Sequence, residues 1–203
     1  MNKTPNRPLI LASTSPFRQQ ILQKIMLPFD CAKPNVDETA QPNESASALV
    51  ERLAIAKAKA CKDQFNDHLI IGGDQVAVIN DQIVGKSHNF DNAFKQLRQA
   101  SGQIITFYTG LCLYNSATDQ HQSIVECFNV HFRELSDAMI TGYLHTEEPY
   151  NCAGSFISEG LGIALFDRLE GKDPNTLIGL PLITLMDMLN NEGINVLERL
   201  NTD

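Results

Sequence analysis

The sequence has no run approaching the roughly 20 apolar residues that a bilayer-crossing helix needs. Its five cysteines, Cys31, Cys61, Cys112, Cys127 and Cys152, include no Cys-x-x-Cys pair, so a zinc site or redox dithiol has no ligand pattern to rest on. Their scatter and odd number predict reduced, mostly buried thiols. The histidines show no His-Glu-x-x-His or other paired spacing. A Gly-x-Ser-x-Gly elbow and a Gly-x-x-x-x-Gly-Lys phosphate loop are also missing. Gly160-Leu161-Gly162 lacks the third glycine of a dinucleotide fingerprint and precedes a predicted strand, not a helix. Residues 1–8 are polar, with two prolines and no apolar run before Leu9. They are expected to form a flexible tail and not a secretory leader, which points to a cytoplasmic protein. Basic residues are outnumbered: 16 Lys and Arg stand against 24 Asp and Glu, for a net charge of −8. General nucleic-acid binding, which needs a basic face, is disfavoured. A small anionic substrate is not, because a few cations in one place or a divalent metal can bridge the like charges.

What is present fits an ordinary globular chain. Of 203 residues, 43% are hydrophobic and 20% charged. A domain of this size buries roughly 70% of its unfolded surface. Helical and strand patterns alternate, predicting one α/β domain over 9–198 with a mixed sheet. Leu9–Ala12 reads as a buried strand. Ser15 suits an N-cap and Pro16 the first helical position of a helix that Pro28 ends. Asn43 is expected to cap a long helix reaching about Lys62, with its stripe at Leu49, Val50, Leu53 and Ala54. Leu69-Ile70-Ile71 is an apolar strand entering Gly72-Gly73-Asp74-Gln75, with Val76–Ile79 beyond and a tight turn at Asn80-Asp81. Phe90 begins a helix, Gln103–Tyr114 is a long strand, and Phe128, Val130 and Phe132 alternate as in a half-buried strand. Ser136 caps a helix to about His145, Gly162–Phe166 is read as a strand, and Asp173-Pro174 leads into one final helix.

Several residues break local rules, and function tends to sit at such places. Arg18 lies in the first turn of its helix, where the macrodipole disfavours a cation. A bound anion would reverse that penalty, using free backbone N–H groups, the Ser13, Thr14 and Ser15 hydroxyls and the guanidinium fork. The plain alternative is a Ser-Pro cap with a solvent-facing arginine. Asp74 arrives at the end of an apolar strand after two glycines. A desolvated carboxylate there needs a metal, hydrogen bonds or a proton, unless it merely caps a bend. Lys57 continues the apolar stripe of its helix, so its ammonium must find a partner or, as is commoner, snorkel outward. Gly85-Lys86 and the acid pair Asp37-Glu38 are weaker signals whose default reading is a solvated turn and a solvated loop.

Taken together, these segments resemble the Maf-like nucleotide pyrophosphatase family. The matching stretches are Leu9-Ile-Leu-Ala-Ser-Thr-Ser-Pro-Phe-Arg18, Val36-Asp-Glu38, Ala54-Ile-Ala-Lys57, Ile71-Gly-Gly-Asp-Gln75 and Gly85-Lys86. Further along come Thr106–Gly110, Val130–Arg133, Ala153–Phe156, Asp173–Thr176 and Gly179-Leu-Pro181. Phe-Arg after Ser-Pro, Gly-Asp-Gln and Gly-Ser-Phe-Ile-Ser-Glu-Gly resemble the branch that hydrolyses 7-methyl-GTP. Gly73 departs from near relatives, which often carry serine.

The resemblance implies an inosine-triphosphatase-like fold, an elongated mixed β-sheet flanked by helices with two lobes around a central cleft, commonly a homodimer. It implies hydrolysis of a nucleoside triphosphate to monophosphate and diphosphate with Mg²⁺ or Mn²⁺, acting against incorporation of modified nucleotides. By the same resemblance Asp74 is the proton acceptor, Lys57, Lys86 and Glu38 are catalytic, and Glu38 and Asp74 hold the metal. Ser13 and Arg18 bind phosphate, while Phe17, Gln75 and Glu159 choose the base. Nucleic acid and membrane are not expected partners. UTP, dTTP or deaminated purines are alternative substrates, and a nucleotide-binding regulator of cell division is the alternative of another class.

Overall fold

Four apolar residues in a row are satisfied only where both faces of a strand are covered. Leu9–Ala12 (β1) meets that condition in the computed structural model, which describes residues 7–199. Leu9 and Leu11 enter one apolar cluster with Ile21, Leu22, Leu185 and Leu189. Ile10 and Ala12 enter another with Ala54, Ala58, Ile70 and Cys112. The period-two alternation of a strand thus divides one short segment between two cores. Of the expected tail 1–8, residues 1–6 lie outside the described residues. Arg7 pairs with Asp67 at 3.1 Å, and the Pro8 carbonyl accepts a hydrogen bond from the Leu69 amide at 3.0 Å.

Pro16–Gln23 (α1) follows β1, with Ser15 as its N-cap. Then come Phe29–Ala32 (β2), Ala46–Lys59 (α2), Leu69–Ile79 (β3), Gln82–Val84 (β4) and Phe90–Ala100 (α3). Ile104–Asn115 (β5), Gln120–Phe132 (β6), Asp137–Glu147 (α4) and Phe166–Glu170 (β7) lead to Pro174–Ile178 (α5), Leu182–Asn191 (α6) and Val196–Arg199 (α7). The sheet order is β2-β1-β3-β5-β6-β7, with β4 added to β3. β1 pairs parallel with β2 and β3, whereas β3–β4 and β6–β7 are antiparallel, so the sheet is mixed and helices flank it. The described residues form two compact units. One draws on residues 7–74, Thr109–Glu126 and residues 173–199, the other on Gln75–Tyr108 and Cys127–Lys172. The second unit has its own aromatic core, in which Phe132, Phe156 and Phe166 meet edge to face.

Five expectations need correcting. Asn43 does not cap α2. It takes a left-handed φ of 60°, which asparagine tolerates, and Ser45 accepts the Ala48 amide instead. At its other end α2 stops at Lys59, where buried Cys61 turns inward and a 3₁₀ turn, Lys62–Gln64, follows. Leu161–Leu165 is a 3₁₀ helix and not a strand. Gly162 lies too close to the Ile157 carbonyl to hold a side chain, and regular pairing starts only at Phe166. The last predicted helix is two helices. Gly179 takes a φ of 114°, which ends α5, and Pro181 separates it from α6. The cysteines are not mostly buried: Cys61 and Cys112 are, Cys152 is half-buried, and Cys31 and Cys127 are exposed.

A candidate hydrolytic site

Parallel pairing of β1 with β3 places Ala12 opposite Gly72. Ser13, the first residue past β1, and Gly73-Asp74, which continue β3, therefore lie next to each other at the end of β1. Ends of parallel strands are where α/β proteins gather ligands, because loops and helix N-termini converge there. Asp74 is not a bend residue. It sits within an unbroken eleven-residue strand and is only 7% exposed.

The two glycines before it have separate reasons. A Cβ on Gly72 would overlap the Ala54 carbonyl and stand 2.8 Å from the Ala58 amide nitrogen. Gly110 on β5 likewise abuts the Val50 carbonyl. Both glycines let α2 lie with its backbone against the sheet. That close approach carries Lys57 to Asp74. Gly73 has room for a side chain: its nearest neighbours would be Gly110 O at 3.5 Å and Arg18 Nε at 3.6 Å.

Lys57 does not snorkel. It is 6% exposed, and its Nζ donates to Asp74 Oδ1 at 2.7 Å and pairs with Glu38 Oε1 at 2.9 Å. One ammonium thus joins two carboxylates. Burial pushes the Asp74 carboxyl above the usual carboxylate range; Lys57 and then Arg18 oppose that shift, and Glu38 adds to it. The pair Asp37-Glu38 divides its labour. Asp37 caps its own turn through the Thr39 amide at 2.9 Å, and Glu38 reaches Lys57. Arg52 and Glu44 hold this loop, two residues that sequence reasoning missed. Arg52 Nε and Nη2 grip the Glu44 carboxylate at 2.6 and 2.8 Å, while Arg52 also takes the Thr39 carbonyl. The signal was an acid just before a helix and an arginine two turns into it.

The Ser13–Arg18 turn keeps features of both its readings. Ser15 is a true cap, accepting the Arg18 amide at 3.4 Å, and buried Ser13 accepts the Ser15 amide at 3.1 Å. Those two amides are therefore occupied, and Thr14 and Phe17 offer the amides without a partner among the described residues. Arg18 is not solvent-facing. Its Nε donates to the Gly179 carbonyl at 2.8 Å, and its terminal nitrogens make no hydrogen bond among the described residues. Burial lowers the guanidinium pKa, and Asp74 and Glu38 oppose that shift. Phe17 is half-buried beside it.

Ser13, Phe17, Arg18, Glu38, Lys57 and Asp74 all belong to the first unit, whereas Gln75, Lys86 and Glu159 belong to the second. Within that second unit Lys86 bridges to Ala153, and Gln96 ties Gly85 through its carbonyl at 3.2 Å. Lys86 and Glu159 are both exposed and both act on the Cys152 thiol. Burial first, then Glu159, push that thiol up to about 11, and Lys86 opposes them. Gln75 is half-buried. No group of three or more acidic, histidine or cysteine side chains converges as a ready metal site among the described residues. The acids that do converge, Glu38 and Asp74, present one oxygen each to the same cation, Lys57.

Comparisons with known proteins address the family and the fold. The Maf-like protein family model matches residues 8–192. A 7-methyl-GTP pyrophosphatase of Colwellia psychrerythraea is 64% identical over 189 residues, covering 93% of this chain and 94% of that protein. The structure of the Staphylococcus aureus Ham1 protein superposes with a TM-score of 0.52 at 13% identity, over 92% of this chain and 100% of that one. That likeness speaks to the fold alone. The family match and the relative both span nearly the whole chain, and the chain therefore belongs to the Maf-like protein family.

Proposed function

We propose that the chain is a metal-dependent nucleotide pyrophosphatase that hydrolyses 7-methyl-GTP to 7-methyl-GMP and diphosphate. The observation that carries this reading is the buried Lys57 joined to Asp74 and Glu38, next to an arginine with unspent terminal nitrogens. Substrate choice follows the 64% identical relative, whose name gives that activity.

In the reaction a water oxygen bonds to phosphorus, the bond to the leaving diphosphate breaks, and one proton must leave the water. Asp74 accepts that proton in this reading. A carboxylate raised above its ordinary pKa is a stronger base than a solvated one, provided it stays ionised at working pH. Lys57 favours its ionised form. An ammonium carries three N–H groups, so contact with two carboxylates leaves capacity for a phosphate oxygen. Arg18 offers its two terminal nitrogens as a fork, and Ser13 borders the same strand end. Little covalent chemistry is asked of the protein; positioning and charge neutralisation do most of it.

The acid pair fits a divalent cation of the magnesium type, which is commonly held by one or two carboxylates together with substrate phosphates. Glu38 and Asp74 would hold it, and it would supply charge neutralisation on the phosphates. Lys86 as a further catalytic cation, and Phe17, Gln75 and Glu159 as base-choosing residues, are parts of this proposal that rest on the sequence resemblance. A homodimer and a cytoplasmic location belong to it as well. Among the described residues no helix is long and apolar enough to cross a membrane.

A panel of 7-methyl-GTP, GTP, UTP, dTTP and ITP, each with and without Mg²⁺ or Mn²⁺ and read by diphosphate release, tests the reading. The expected result is metal-dependent release with 7-methyl-GTP the best substrate. A preference for UTP or dTTP would move the chain to the alternative substrates, and tight binding without release would remove the hydrolytic role.

A further inference from the structure

A buried carboxylate away from the Lys57 centre calls for a reason of its own. Glu126 on β6 is buried, and its two oxygens are taken by threonines from two different helices. Thr176 Oγ1 of α5 donates to Oε2 at 2.8 Å, and the Thr184 hydroxyl of α6 donates to Oε1. The same α5 turn is held from a second side, where Thr109 Oγ1 donates to the Thr176 carbonyl at 3.0 Å. A third tie is Asp173, fully buried, which caps both helices: Oδ1 accepts the Asn175 amide and Oδ2 the Ile183 amide, each at 2.8 Å.

Five side chains thus fix one short connection, Gly179-Leu180-Pro181. Its outward product is a single carbonyl. Gly179 O accepts Arg18 Nε at 2.8 Å, in a conformation with a φ of 114° that glycine alone adopts readily. Arginine has a long, flexible stem, and ordering it costs rotamer entropy. A fixed acceptor on Nε leaves both terminal nitrogens facing the same way, which is the two-pronged geometry that phosphate oxygens accept.

We propose that Glu126 is a positioning residue for Arg18. By joining Thr176 to Thr184 it sets the α5–α6 turn, and the Gly179 carbonyl of that turn presets the guanidinium for the phosphate chain. This rests on the reading of Arg18 as a phosphate ligand, and the test separates the two claims.

The probe is inorganic tripolyphosphate, which has the phosphates and no base, with its affinity measured by titration calorimetry on wild type, Glu126→Gln, Arg18→Ala and the double variant. KM and kcat for 7-methyl-GTP are measured alongside. Glu126→Gln keeps the shape and one acceptor oxygen but puts an amide against one hydroxyl. The expected result is about a tenfold loss of tripolyphosphate affinity in Glu126→Gln, a comparable rise in KM with a smaller change in kcat, and no added loss in the Arg18→Ala background. An additive loss in that background, or none in the single variant, overturns the positioning role. Unchanged affinity in Arg18→Ala overturns it together with the reading of Arg18. Should Glu126→Gln fail to fold, Thr184→Val tests the same contact: it should weaken affinity, and Thr184→Ser, which keeps the hydroxyl, should restore it. A purely packing role would lower the melting temperature of these variants and leave the cycle additive.

Discussion

Neighbouring glycines at 72 and 73 should respond to the same added methyl group in opposite ways. In Gly72→Ala the new Cβ would overlap the Ala54 carbonyl and lie 2.8 Å from the Ala58 nitrogen, both backbone atoms of α2. No rotamer change relieves a clash with backbone. Returning these atoms to ordinary contact near 3.5 Å requires α2 to withdraw by roughly 1 Å. Overpacking of this kind costs about 1–3 kcal/mol, and the upper end applies because the helix must move as a body. Lys57 rides on that helix, 2.7 Å from Asp74, so the same movement takes the ammonium past hydrogen-bond reach. A misplacement of about 1 Å can cost on the order of 100-fold in rate. In Gly73→Ala the nearest atoms are at 3.5, 3.6 and 3.8 Å, which is ordinary contact. Loss of unfolded-state freedom then dominates and stabilises by about 0.4–1 kcal/mol. Denaturant midpoints and diphosphate release for the two variants measure the difference. Equal midpoints and equal rates would refute the account of how Lys57 is brought to Asp74.

Three further outcomes follow from the same contacts. Lys57→Met leaves Asp74 and Glu38 facing each other without their shared cation. Removing one partner of a buried pair costs about 3–5 kcal/mol, reduced here because Glu38 keeps 62% of its side chain exposed and Asp74 can take up a proton; about 2 kcal/mol is expected by thermal melting. The sign with pH is fixed. A carboxyl whose folded pKa is raised binds more protons folded than unfolded, so its contribution to stability falls as pH rises from its ordinary value to its folded one. Without Lys57 that window extends upward, and the deficit of the variant should be larger at pH 8 than at pH 5; a deficit that shrinks with pH would contradict the cause assigned to the Asp74 shift. Glu44 behaves oppositely. Arg52 holds its carboxyl down to about 2, so its stabilisation is present above the ordinary 4.5 and is lost as pH falls from there to about 2. Glu44→Gln should flatten the acid unfolding curve in that interval, and an unchanged curve would show that the grip on the Glu38 loop is not energetic. Glu159→Ala should shift the ratio of 7-methyl-GTP to GTP turnover more than it shifts the melting temperature, since Glu159 is exposed; the reverse pattern would remove it from base recognition.

Much of the site was legible in the sequence wherever a residue contradicted its own element. Lys57 on an apolar stripe and Asp74 at the end of an apolar run each marked a group needing a partner, and they proved to be each other's partner. Outward snorkelling, the commoner fate, lost because α2 lies too close to the sheet for the stem to escape. That closeness depends on Gly72 and Gly110, 38 residues apart in local environments that look alike, so no window of sequence pairs them. Ser15 and Pro16 announced the start of α1 through cap chemistry confined to a few residues. Arg18 could be flagged as misplaced, but its acceptor is the Gly179 carbonyl, 161 residues away, and a main-chain oxygen has no sequence signature. The split of the final helix was legible in Gly179-Leu180-Pro181 and was overridden by the periodicity of Leu182, Leu185 and Leu189. Glu126 lies in phase with Phe128, Val130 and Phe132 on the inward face of its strand, a signal that was missed because the threonines that satisfy the carboxylate lie 50 and 58 residues away.

In the proposed function the Lys57-linked acids and the Ser13–Arg18 turn form one hydrolytic centre with Asp74 as its base. The most direct test of this is diphosphate release from 7-methyl-GTP by wild type and Asp74→Asn side by side, in Mg²⁺, with folding of both checked by circular dichroism. The account predicts one diphosphate for each 7-methyl-GMP from wild type and a folded but silent variant. Single-phosphate release by wild type, or near-normal turnover by Asp74→Asn, would contradict it.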